Sequence, residues 1–166
     1  MNIDTLLDNI VTDVVANVAV NTWTLANFTK MVNVFKGIDH DNEPLQASYP
    51  IVYVHPLSKD TGYDRDKIVH MIGVTAGIYK DSSTTTNVAV AGFEGTAIKT
   101  VYAGVALLEV FRKLVETAVK GAGTDAGMFI DGLEIAYDTV QNYPFFVAHM
   151  VFEFSKNICQ GDDVFA

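Results

Sequence analysis

Apolar side chains at Ile3, Leu6, Leu7, Ile10, Val11, Val14, Val15 and Val18 recur at steps of three and four, the stripe of an amphipathic helix packed on a core. Asn2 is placed to cap that helix, and Asp4 sits in its first turn, where the helix dipole favours negative charge. Residues 21–28 show no clear period. From Met31 to Ile38 the pattern alternates as in a strand and runs into Gly37 and an acidic turn. Residues 49–54 form a short β-branched run flanked by Pro50 and Pro56, which predicts a strand near an edge. Residues 68–79 predict a long strand, with Ile68, His70, Ile72, Val74, Ala76 and Ile78 on its more apolar face. A Ser/Thr tract follows, and residues 81–95 predict a long exposed loop holding a small hairpin. Val101, Val105, Leu108, Phe111, Leu114, Val115 and Val119 mark a second helix. Glu109, Arg112, Lys113 and Glu116 fall on its wet side, and Gly121 is its expected stop. Residues 129–137 and 145–154 then predict two strands joined by a turn at Asn142, Tyr143 and Pro144, with a frayed tail after Lys156.

The order predicts a single α+β domain, a two-layer sandwich with a mostly antiparallel sheet and two helices on one face. The last strand is the most telling. Phe146, Ala148, Met150, Phe152 and Phe154 fall on one side of it, and Phe145, Val147 and Val151 on the other. A strand apolar on both faces needs cover on both, and two helices cover only one. The open layer is therefore a candidate association surface, with Phe146, Met150, Phe152 and Phe154 as the expected contact between copies.

Composition narrows the classes. A length of 166 residues at 49% hydrophobic content fits one domain with a real core. A net charge of −9 argues against specific nucleic-acid binding, which needs clustered Lys and Arg. No Lys or Arg precedes Lys30, so the basic start of a secretory signal is missing and the mature chain is expected to begin at its first residues. No apolar run reaches the ~18 to 20 residues of a membrane span. The expectation is a soluble chain with no membrane partner. Cys159, alone in a polar tail, suits a reducing compartment and reads as an incidental thiol.

Candidate chemistry is sparse. Asp39, Asp41 and Glu43 imitate the start of a calcium loop, but Pro44 and Pro50 stand where such a loop needs glycine and a bidentate carboxylate. The string Gly121, Gly123 and Ala126 has the letters of a dinucleotide fingerprint, yet it closes a helix instead of opening one and reads as a linker. His40, His55, His70 and His149 occur in no close ligand pair; His70 and His149 lie in strands where they could face each other. The expectation is a protein that is not an enzyme and has no cofactor or metal. The alternative is a small-molecule binding or enzymatic α+β domain with a pocket between the second helix and the sheet, for which Asp131, Glu134 and His149 are the only strand residues to nominate.

Tyr49, Pro50, Ile51, Val52, Tyr53 and Val54, the closing Asn142, Tyr143, Pro144, Phe145, Phe146 and Val147, and the order of elements together resemble the tail terminator or tail completion proteins of long-tailed bacteriophages. The resemblance implies a structural protein made in the bacterial host cytoplasm and carried in the virion tail, of a phage or prophage. It would form a homo-oligomeric, typically hexameric ring that caps the tail tube, stops its polymerisation and meets the head connector. No catalytic residue is carried over, and a neighbouring neck or tube component is a variant of the same reading. Six copies at −9 suggest an acidic lumen that repels passing DNA. The loops at 59–67 and 81–95 would touch the tube or connector proteins, through Lys59, Asp64, Arg65, Lys67, Ser82, Thr84 and Phe93.

Overall fold

A computed structural model describes residues 2–37, 44–60, 67–92, 94–138 and 143–157. The acidic turn at Asp39, Asp41 and Glu43, the contacts expected of Asp64, Arg65 and Phe93, and Cys159 with most of the predicted tail lie outside the described residues.

The fold is α+β. Helices α1 (Ile3–Ala16) and α2 (Val18–Phe28) lead into the short strand β1 (Asn33–Lys36). After a single 3-10 turn at Gln46–Ser48 come β2 (Ile51–Asp60) and β3 (Lys67–Tyr79), then the pair β4 (Ser83–Ala89) and β5 (Thr96–Tyr102). Helix α3 (Ala103–Asp125) is followed by β6 (Phe129–Asp138) and β7 (Phe145–Asn157). Among the described residues five strands form one mixed sheet in the order β1-β2-β3-β7-β6, in which only β1 and β2 are parallel, while β4 and β5 pair only with each other.

The predicted first helix ends at Ala16, and a second one follows where the sequence shows no clear period. Asn17 ends α1 and caps α2, its side chain accepting from the Val20 N–H at 3.0 Å, and the Asn21 amide donates back to the Val15 carbonyl at 2.7 Å. The end of α1 is thereby satisfied and the chain turns. α2 escapes the sequence pattern because its buried positions are Val20 and Thr24, one of them polar, and it packs on α3 by stacking Trp23 on Phe111 at 5.5 Å.

α3 runs through the expected stop at Gly121 and ends at Gly127, whose φ of +68° only glycine takes readily. There the Met128 N–H donates to Gly123 and the Gly127 N–H to Thr124, a Schellman ending. The fingerprint-like glycines are therefore the last turns of a helix, not a linker. Gly104 and Gly123 let α3 lie on the sheet, since a Cβ on either would fall 2.2 Å from the ring of Phe146 or Phe154.

α1 and α3 cover the same face of the sheet. Leu6, Leu7, Ile10 and Val14 join Leu108, Phe111, Val115 and Val119 over Val52, Val54, Ile72, Val74, Ile78, Phe146, Met150, Phe152 and Phe154 in one core. Each large side chain fully buried there contributes about 1.5–3 kcal/mol. Lys36 of β1 reaches over the same face to Asp4 and Asp8 of α1, at 2.6 Å each, which fixes the helix to the sheet edge.

Candidate assembly surfaces

The burial of Phe146, Met150, Phe152 and Phe154 corrects the interface expected of them. All four lie beneath α1 and α3 with at most 1% exposure, so they hold the chain together and offer no surface to another copy. The larger side chains went to the core because burying a phenylalanine returns more than burying a valine.

The other face of the sheet carries no helix among the described residues. Strand register places Phe35, Tyr53, Met71, Tyr79, Phe145, Val147 and Val151 on it. Phe35 stacks on Tyr53 at 5.0 Å, and Phe145 contacts both Tyr49 and Tyr79 at 5.1 Å. These rings fill the grooves above the glycines of β3. Tyr49 and Ile51 close over Gly77, and the His55 ring lies so near Gly73 that a Cβ there would meet Nε2 at 2.4 Å. Thr75 Oγ1 and His149 Nδ1 share a hydrogen bond of 3.0 Å on this face. The result is a sheet surface with aromatic and aliphatic side chains around a central Thr75–His149 pair, and with Glu134 and Glu153 towards β6.

His70 and His149 do not face each other. His70 points to the helix side, buried to 1% beside Phe154, and its Nδ1 has no hydrogen-bond partner. Burial pushes its pKa below the ordinary 6.5, with Lys59 opposite it on β2 adding repulsion. Arg112 is also misplaced by the helical pattern: it is 4% exposed, held by Glu109 and Glu116 on its own helix. Tyr137 of β6 donates its hydroxyl to the same Glu109 at 2.5 Å. Hydrogen bonds from Arg112 and Tyr137 lower the Glu109 pKa to about 2.

The loop residues divide. Lys59 is exposed at the end of β2, while Lys67 is engaged with Asp131. Thr84 lies in, and Ser82 just before, a hairpin much longer than the sequence suggests, reaching Ala89 and returning from Thr96 to Tyr102. All fourteen of its strand residues are exposed. Its base is anchored: Tyr102 packs on Tyr143 at 5.1 Å, and the Tyr143 hydroxyl donates to the Asp81 carbonyl at 2.7 Å.

The pocket expected between α3 and the sheet is filled by the core. Asp131 is paired at the edge, Glu134 is exposed, and His149 lies on the opposite side of the sheet from α3. An open depression of about 650 Å³ lies elsewhere, lined by Phe28, Lys30, Leu45, Gln46, Ala47, Tyr49 and Tyr79. Among the described residues no group of three His, Cys, Asp or Glu side chains is placed to hold a metal ion, and no helix is long and apolar enough to cross a membrane.

No protein-family model matches the chain, and neither does any curated protein.

Proposed function

We propose that this chain is a structural tail-assembly protein of a phage or prophage, which forms a ring at the end of a tail tube, stops its polymerisation and joins it to the head connector. The observation that supports this most is the open sheet face. Phe35, Tyr53, Met71, Phe145, Val147 and Val151 all lie on the side away from the helices, around the Thr75–His149 pair, and an uncovered face so rich in apolar side chains is what a neighbouring subunit covers. A closed ring satisfies it in every copy by one repeated contact. The acidic surface then serves solubility before assembly and weak affinity for DNA afterwards.

Electron microscopy of the protein mixed with purified tail tubes tests this. The expected image is density at one tube end only, with tubes that no longer elongate when more tube protein is added. Decoration along the tube, or none, counts against it.

A further inference from the structure

The hairpin β4–β5 carries a second inference, which rests on the ring reading above. A free two-stranded hairpin is marginal in water, yet this one is tied down at its base by the Tyr102–Tyr143 contact and has no other strand beside it among the described residues. Its strands contain no proline and one charge, Lys99. Those are the features that edge strands normally avoid, because unpaired N–H and C=O groups on a flat, neutral edge recruit another strand.

The main sheet has a matching vacancy. Among the described residues β6 pairs only with β7, and after the bulge between Ile130 and Gly132 its register is regular from Gly132 through Tyr137. The charges are complementary as well: with Lys99 of β5 set opposite the exposed Glu134 of β6 in the antiparallel sense, residues 96–101 meet residues 132–137 and the two charges share one face.

We infer that the hairpin of one copy adds to the sheet of the next, its β5 edge pairing with the β6 edge of the neighbour. Donor and acceptor are different surfaces of the same chain, so the contact is heterologous and propagates around a ring. Backbone hydrogen bonds supply the strength, and the Lys99–Glu134 pair favours this edge over others.

The test uses the full chain in three variants, Lys99→Glu, Glu134→Lys and both together, followed by sedimentation velocity with and without tube ends. Both positions are exposed, so thermal midpoints should stay within a degree or two of the parent. Each single change is expected to weaken oligomer formation by about fivefold or more, and the double change to restore it. If the parent oligomerises and all three variants match it, the edge pairing is wrong while the ring reading stands. If the parent remains monomeric even with tube ends present, the ring reading fails and the pairing with it. Loss of tube-end binding in Lys99→Glu alone, with unchanged oligomers, overturns the pairing in favour of an arm that grips the tube protein.

Discussion

Gly123 of α3 rests against the edge of Phe154 so closely that a single added methyl would lie 2.2 Å from the ring. Gly104, at the other end of the same helix, stands in the same relation to Phe146. The two glycines set the height of α3 above β7, and with it the thickness of the core. Gly123→Ala and Gly104→Ala should each destabilise the fold by about 1–3 kcal/mol through overpacking, despite alanine's better helix propensity. Urea unfolding checks this. A stabilised variant at either site would mean that α3 can lift without cost, contrary to the packing described.

The two faces of the sheet should separate in mutagenesis. Phe152→Ala, on the helix side, should cost about 3–5 kcal/mol whatever the protein concentration. Met71→Lys, on the open face at 37% exposure, should leave the thermal midpoint of the isolated chain nearly unchanged yet weaken assembly. Paired melting and sedimentation measurements decide it. Equal loss of stability in both variants would show that the open face is part of the chain's own core.

Much of the fold was readable in the sequence, because strict alternation over 68–79 and 145–154 and the stripe of α1 are strong periodic signals. What pattern alone could not give was which side of β7 faces inward, since both sides are apolar. The distribution of sizes held the clue: five of the inward residues include three phenylalanines, and a core takes the bulkier set. α2 was invisible because its sequence carries no charge and its contact with the core runs through Trp23 and Thr24, not a stripe of aliphatics. The hairpin was underestimated because Thr and Ser are common in loops, and Val101 near the end of its second strand reads as the start of the helical stripe of α3. The edge complementarity of β5 and β6 depends on sheet order, which no local pattern records.

Acid should act through Glu109. Its carboxyl is held near a pKa of about 2 against an ordinary 4.5, so the unfolded chain takes up its proton first as pH falls. The stabilisation is therefore complete above about 4.5 and fades as pH drops towards about 2. Glu109→Gln should melt below the parent at neutral pH, and the gap should close across that window. A gap independent of pH would show that the ion pair with Arg112 and the Tyr137 bond do not stabilise the charged form.

His70 works in the opposite chemical sense but with the same direction in pH. Burial holds it neutral when folded, whereas in the unfolded chain it protonates below its ordinary 6.5, so its presence costs stability as pH falls beneath that value. His70→Leu should gain on the parent in melting temperature between neutral pH and about pH 5, with the difference levelling above 6.5. The same difference at pH 8 as at pH 5 would rule out titration of this ring as the cause.

The most direct test of the account is the mass of the assembled protein, measured by native mass spectrometry on the full chain with and without tail-tube ends. The account predicts a closed oligomer of the 18.1 kDa chain, six copies by the resemblance, that dissociates in Met71→Lys while that variant stays folded. A parent chain that remains a monomer under both conditions would contradict it.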